Sequence, residues 1–281
     1  MIKHIDEIFE SDKKKIIDFC SSSCIGLKAL LPLISYGTKY PFAETWVQIS
    51  EGNEISKPLI ISVISNFYGE MVICFDKEAC SEVSSIDSLL ELSSFIKAIG
   101  PREVISNMQI PLAEDNAEMG LAGHIMELPS SRVCLAKEND GIHTGKIKII
   151  ENENLKDFYD LLENNYKDHV FSKYEDWMVD LSHRIRHNVT STSILMEEDT
   201  GKMVATAAAL VDSPKAVLLG AISVNPECRG KHYAHTLVKH YADAARGKTV
   251  YIMCNPDKIG LYEKAGFIDA NVFYRRIYYA E

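Results

Sequence analysis

A buried strand, a short basic turn and an amphipathic helix follow one another between Ala216 and Ala245, and this run constrains the fold of the 281-residue chain most sharply. Ala216 to Val224 is a continuous apolar stretch of strand length. Beyond Asn225-Pro226-Glu227-Cys228, the residues Ala234, Leu237, Val238, Tyr241, Ala242 and Ala245 recur at the 3.6-residue spacing of one helix face. The spacing predicts a helix from Lys231. The first amides of such a helix lack intrahelical acceptors and lie at the positive end of its dipole, so the turn before it suits an anion such as a pyrophosphate. Arg229, Gly230, Lys231, His232, Tyr233 and Ala234 form that turn, with His235 beside it.

A second segment follows about 30 residues later. Thr249 to Cys254 has strand composition, and it leads into Asn255-Pro256 and then Tyr262-Glu263-Lys264-Ala265-Gly266-Phe267. Asn255 before Pro256 reads as a helix N-cap with proline at the first helical position, and Gly266 as the stop.

Together these two segments resemble the GCN5-related N-acetyltransferase (GNAT) family. Its pyrophosphate loop reads Gln/Arg-x-x-Gly-x-Gly/Ala between a strand and a helix. Arg229 takes the first position and Ala234 the last, while His232 replaces the central glycine, where a side chain is tolerable if the backbone is already helical. The later Tyr-x-x-x-Gly-Phe matches Tyr262, Gly266 and Phe267. The resemblance implies acetyl-CoA as co-substrate, with the backbone of Ile222, Ser223 and Val224 pairing with its pantetheine arm. It also implies a contact from Asn255, and Tyr262 as the acid that protonates the departing thiolate. A tyrosine, with its ordinary pKa of about 10, is protonated for that role at neutral pH.

The family often places a glutamate base in the strand before the turn. Ala216 to Ser223 contains no acid. Asp212 is one candidate, set against its reading as a solvated turn residue. His183 and His187 share a helix face by their spacing, but no third metal ligand is apparent, and the same holds for Cys20 and Cys24. No metal is expected. Trp46 and Trp177 read as packing residues, with Trp177 in the helix that flanks the acceptor cleft in the family.

Composition sets the outer limits. The net charge of −10 is uneven, with a balance of −9 over residues 1–140 and −1 over 141–281. An acidic surface argues against nucleic acid, while the near-neutral second half is the one able to accept an anionic cofactor. No apolar run approaches the roughly 20 residues of a membrane span, and the charged start lacks the pattern of a signal peptide. Seven scattered cysteines argue against a disulfide framework, which points to the cytoplasm. Whether the chain is a monomer or a homodimer stays open.

The expected architecture is α/β with mixed sheets in two domains, 1–140 and 146–281, joined at Gly141 to Gly145. The second reads as strand Lys146–Glu151, helices Asn154–Asn165 and Glu175–Arg186, and strands Thr192–Glu197, Met203–Val211 and Ala216–Val224. The Lys231 helix, the Thr249 strand and a helix from Pro256 come next, then a strand pair around Phe267 and Val272–Tyr279. This order is that of the acetyltransferase fold. The first domain echoes it, with helical patterns at Asp6–Phe19 and Ser21–Leu33, and strands at Glu44–Ile49, Pro58–Ser65 and Gly69–Phe75. A helix at Ile86–Ile99 and a strand at Glu103–Asn107 complete it. It reads as a degenerate copy in which acidic Cys74 to Glu82 replaces the cofactor turn, or else as an unrelated α/β cap. The functional expectation is an acetyl-CoA-dependent N-acetyltransferase acting on a primary amine of a small molecule or peptide. The alternatives are a CoA-binding regulatory module with little turnover and an interaction scaffold.

Overall fold

Alternating apolar residues build the first sheet, and the computed structural model describes residues 1–50, 59–83, 86–110, 119–131, 146–166 and 174–278. Two compact units emerge, Met1–Ile125 with Asn271–Glu281, and Met126–Ala270. Gly141 to Gly145 lies outside the described residues.

The N-terminal unit runs β1 (Ile2–His4), α1 (Glu10–Cys20), α2 (Cys24–Tyr36), β2 (Ala43–Ile49), β3 (Ile60–Phe67), β4 (Glu70–Phe75), α3 (Lys77–Val83), α4 (Ile86–Ile99), β5 (Glu103–Ser106) and β6 (Gly120–Leu128), the last straddling the division. Along β2 and β3 successive side chains part to opposite faces. Trp46 and Ile64 join Met71, Ile73, Phe75, Leu92 and Ile96 on one side, while Val47 and Val63 meet Ile5, Ile16, Cys20 and Leu30 on the other. The expected Asp6–Phe19 helix is broken, because Phe9 is extended and separates a 3-10 turn, Ile5–Glu7, from α1. Cys20 ends α1 and Cys24 opens α2, so their four-residue spacing does not lie on one helix face.

The C-terminal unit continues with β7 (Ile147–Glu151), α5 (Leu155–Asn165), α6 (Tyr174–Arg186), β8 (Ser191–Glu197), β9 (Met203–Asp212), β10 (Ala216–Val224), α7 (Tyr233–Ala244), β11 (Thr249–Cys254), α8 (Ile259–Lys264) and the first residues of β12 (Ile268–Ile277), which from Asn271 belongs to the first unit. The alanine-rich β9 explains the layering. Ala205, Ala207 and Ala209 face Leu237, Val238 and Tyr241 of α7, while Ala208 and Leu210 face Phe158 and Leu162 of α5. Small side chains let a helix approach the sheet closely on each side. Fully burying a residue such as Leu237 stabilises by about 1.5–3 kcal/mol.

The two units share one topology. In the first, β1-β2-β3-β4-β5 is antiparallel except for the parallel β4–β5 pair. In the second, β7-β8-β9-β10-β11 repeats the order with β10–β11 as the parallel pair. The sixth strand is exchanged. Tyr274 to Ile277 of β12 pair with Ser106 to Glu103 of β5, and β6 neighbours β11. The strand pair expected near the C-terminus is therefore one strand. β6 escaped the sequence reading because its two glycines, His124 and Glu127 blur the alternation.

Candidate functional site

β10 and β11 pair in parallel only from Ala216↔Thr249 to Leu219↔Ile252. Beyond that point they part, because β10 carries a bulge. Its register with β9 shifts between Gly220 and Ser223, and Ala221 has φ +51°. Thr206 fixes the bulge by donating its hydroxyl to the Ala221 carbonyl at 3.1 Å. The parting strands leave a pocket of about 310 Å³ lined by Leu162, Tyr166, Gly220, Ala221, Ile222, Ile252, Met253 and Tyr262.

At the end of β10 the chain makes a 3-10 turn, Pro226–Cys228, with Asn225 as its side-chain cap, and then enters α7 at Tyr233. The expected start at Lys231 is two residues early. His232 explains the delay: at φ +61°, ψ 16° it is left-handed, so its backbone is not already helical. The turn keeps the conformation for which its missing glycine is suited and carries a side chain there. Gly230 at φ +82° supplies the other left-handed step. The amides of Gly230, Lys231, His232, Ala234 and His235 donate to no protein group among the described residues. Such a row of free donors at the start of a 12-residue helix fits a pyrophosphate.

The side chains around the turn are arranged less simply. The Lys231 ammonium lies 3.6 Å from Glu197, a carboxylate that the sequence reading passed over. Tyr233 is buried and donates its hydroxyl to Glu197 at 2.8 Å, so its ring belongs to the core, with the Lys231 ammonium over it at 5.9 Å from the centroid. Burial and the Glu197 carboxylate push the Tyr233 phenol up to about 12. The Tyr233 hydrogen bond, then Lys231, hold Glu197 below the usual carboxylate range. Burial, then the His232 ring, lower the pKa of His235 and favour its neutral form. The Arg229 guanidinium reaches away from the turn and donates to Asn165 Oδ1 at 3.2 Å.

At the pocket, Tyr262 is 7% exposed. Burial, then Cys254 and Tyr166, raise its pKa well above that of an ordinary phenol, so it holds its proton across the physiological range. Its place on α8 follows from the Gly266 stop and from contact with Phe267 at 6.0 Å between rings. Asn255 lies at the exposed end of β11. Its side chain makes no capping bond, contrary to the N-cap reading, and Pro256–Lys258 forms a 3-10 turn before α8 rather than one helix.

The candidate bases do not converge here. Asp212 pairs with Lys248 at 2.5 Å and opposes Val217, at the far end of β10 from the bulge. His183 near the end of α6 and His187 just beyond it hold their rings 4.1 Å apart and tilted, and no cluster of three metal-binding side chains occurs among the described residues. Trp177 packs against Phe158 and Tyr159. Asn165 and Tyr166, at the end of α5, were read only as a helix terminus, yet both reach β10.

The N-terminal unit shows what the site needs by lacking it. β4 pairs with β3 from Glu70 to Phe75 without a register shift, so it has no bulge. α3 follows directly, and Asp76 accepts from the amides of Glu78 and Ala79 at 3.0 and 3.1 Å. The carboxylate not only repels an anion but fills its donors. Asn107 then bridges the end of β4, accepting from Phe75 N at 2.8 Å and donating to Phe75 O at 2.9 Å.

Comparisons with known proteins agree with this division. Residues 153–267 match the family model described as acetyltransferase (GNAT) family. A glucosamine 6-phosphate N-acetyltransferase 1 from Oryza sativa subsp. japonica is 31% identical over 90 residues, 28% of this chain and 54% of that protein. The chain thus spans about half the length of this curated relative. Over its whole length it resembles solved structures in fold. A Drosophila protein aligns with TM-score 0.62 and 12% identity over 99% of this chain and 98% of that one. A tandem GNAT protein from the clavulanic acid biosynthesis pathway aligns with TM-score 0.57 and 11% identity over the same shares. The match to the acetyltransferase (GNAT) family model thus lies within the C-terminal half, at residues 153–267, while the strand order repeated in both units gives the whole chain a fold like that of a tandem GNAT protein.

Proposed function

We propose that the C-terminal unit transfers an acetyl group from acetyl-CoA to a primary amine of a small molecule or peptide, in the cytoplasm. The juxtaposition of the amides of Gly230, Lys231, His232, Ala234 and His235 with the pocket opened by the β10 bulge carries this reading. The turn accepts the pyrophosphate, with Asn255 as a further contact. The open backbone edge at Ile222 and Val224 aligns the pantetheine arm, whereas the expected backbone contact from Ser223 is excluded because Ser223 faces β9. The thioester supplies an activated acyl group, and holding it against an amine is a large part of the acceleration. A β10 amide at the bulge polarises the acyl carbonyl. Tyr262, kept protonated by its surroundings, delivers the proton to the departing thiolate. With no acid on β10, the amine arrives neutral or loses its proton to water. The similarity to a glucosamine 6-phosphate N-acetyltransferase supports an amine acceptor and makes amino sugars the first compounds to try.

A second reading, a CoA-binding module with little turnover, is favoured by one observation: His232 places a side chain on the left-handed step of the phosphate turn. Thiol release from acetyl-CoA in the presence of an amine panel separates the two. The enzyme reading expects at least one amine to stimulate release, with the stimulated rate falling about 100-fold in Tyr262→Phe, as general-acid loss does. Binding of CoA without stimulation by any amine would favour the module. An unchanged rate in Tyr262→Phe would remove Tyr262 as the acid.

A further inference from the structure

Residues 222 and 224 turn their backbone groups away from β9. Ser223 opposes Thr206 in the ladder, and the Asn225 amide donates to Val204 O at 2.9 Å, so these positions face β9. The intervening Ile222 and Val224 therefore present both N–H and C=O to the open edge of β10, since the two groups of one strand residue share an edge. Such an edge normally offers donors and acceptors in equal number. Here the acceptors are already engaged. Tyr166 donates its hydroxyl to Ile222 O at 2.8 Å, and Asn165 Nδ2 donates to Val224 O at 3.0 Å and to Ser223 Oγ at 2.5 Å. Asn165 Oδ1 is in turn held by Arg229 of the phosphate turn.

We propose that Asn165 and Tyr166 are positioning residues of the acyl-transfer site: by capping the carbonyls of Ile222 and Val224 they make the open edge of β10 a strip of N–H donors aimed at the pantetheine and acyl carbonyls. The inference rests on the acetyl-CoA reading above and deepens it. An uncapped Ile222 carbonyl would place a lone pair beside the acyl oxygen, where negative charge grows during attack, and would work against the donors there. Tyr166 serves the reaction centre because it lines the same pocket as Tyr262. Asn165 serves the arm further out, and through Arg229 it links that edge to the phosphate turn. The arrangement also bears on the missing base. The site invests in stabilising the oxyanion, which lowers the demand on proton removal from the amine.

Isotope-edited infrared spectroscopy of bound acetyl-CoA, labelled with carbon-13 at the acetyl carbonyl, tests the idea without knowledge of the acceptor. Calorimetry with CoA and with acetyl-CoA accompanies it, and circular dichroism checks that each variant is folded. In the wild type the carbonyl band should shift to lower frequency on binding. In Tyr166→Phe that shift should shrink, and acetyl-CoA should bind about tenfold more weakly while CoA binds as before, the loss expected for about one hydrogen bond. Asn165→Ala should weaken CoA and acetyl-CoA alike. Where an amine is found, Tyr166→Phe should lower kcat about tenfold with KM for the amine unchanged. An unchanged carbonyl band in Tyr166→Phe, or tighter CoA binding in either variant, would overturn the inference, the latter by showing that the two side chains compete with the pantetheine arm. A wild-type protein that binds neither CoA nor acetyl-CoA would instead overturn the underlying reading.

Discussion

Replacing His232 with glycine isolates the cost of the one departure in the phosphate turn. His232 sits at φ +61°, a conformation that costs an ordinary residue about 1–2 kcal/mol. Glycine removes that strain but adds about 0.5–1 kcal/mol of entropy to the unfolded chain. The net effect spans about 0–1.5 kcal/mol and centres on a gain of about 0.75 kcal/mol, a rise in Tm of roughly 2–3 °C for a unit of this size. Little is lost on the folded side. The His232 ring is exposed and makes no capping bond, and its carbonyl still accepts from Thr236 N at 3.1 Å. Alanine is the control, because it removes the ring and keeps the Cβ that causes the strain. Differential scanning calorimetry should therefore rank glycine above wild type and alanine at or below it. Nuclear magnetic resonance should also show the His235 pKa rising in both variants, since the His232 ring is one of the groups that lowers it. Glycine and alanine variants with the same Tm would refute the strain argument. Under the proposed function, calorimetric titration with CoA should show tighter binding to the glycine variant, because only there does the backbone approach the phosphates without a side chain between them.

Three further perturbations follow from packing and charge. A methyl group at Gly220 would collide with Leu210 Cδ1 and lie 3.1 Å from Leu210 Cγ, so Gly220→Ala should lower stability by about 1–3 kcal/mol in urea melts. Adding Leu210→Ala should recover part of that loss. Asp76→Ala in the N-terminal unit should cost about 1 kcal/mol through the lost cap of α3. It should create no CoA binding by calorimetry, because Asn107 still bridges the end of β4. Burial, then Glu70, raise the carboxyl pKa of Glu103 against the opposing pull of Arg275 and Lys28. The folded state therefore holds that proton more tightly than the unfolded chain. Its contribution is fully present below the unfolded pKa and is lost as pH rises through the folded one. Urea melts between about pH 4 and pH 6 should show a pH slope that Glu103→Gln makes more positive; no change of slope would refute the shift.

The sequence revealed what local chemistry determines and hid what two distant segments determine together. Periodicity placed α4, β10 and β11 at their observed bounds, because an apolar stripe or run needs only its own neighbours to be read. The anion turn was legible because unpaired amides follow from any helix start. Its conformation was not, since a histidine gives no sign of adopting a positive φ until the ends of the turn are fixed by β10 and α7. The bulge at Ala221 was equally silent. It depends on Thr206 in another strand, and nothing in Gly220-Ala221-Ile222 distinguishes it from plain strand. Tyr166 and Asn165 share this property: at a helix end they look like a frayed terminus, and only the return of β10 beside them supplies the carbonyls they cap. A clue was available in two amide side chains and a tyrosine, Asn164-Asn165-Tyr166, at the end of a helix, where each is a competent donor. The exchanged sixth strands lay beyond any local pattern, since pairing partners far apart in sequence carry no periodic signal.

The duplicated fold is itself an internal experiment on what makes a cofactor site. Both units keep the strand order and the parallel central pair, so topology alone does not create the site. Three local differences separate them: a bulge on β10 against a straight β4, free amides before α7 against amides filled by Asp76, and strands parted beyond Ile252 against an end of β4 bridged by Asn107. Each is a matter of one or two residues, and none disturbs the core on either side of the sheet. A difference in cofactor binding between the two units, as proposed, therefore needs no difference in core stability. Asp76 and Asn107 occupy groups that an anion and a pantetheine arm would otherwise pair, and at the buried Phe75 leaving them unpaired costs about 1–3 kcal/mol each. A unit that binds no ligand there gains by covering those groups, and a unit that binds one, as proposed for the C-terminal unit, does not. By contrast, Gly230, Lys231 and His232 are exposed, so water satisfies their amides and an anion-ready turn costs the C-terminal unit little in folding.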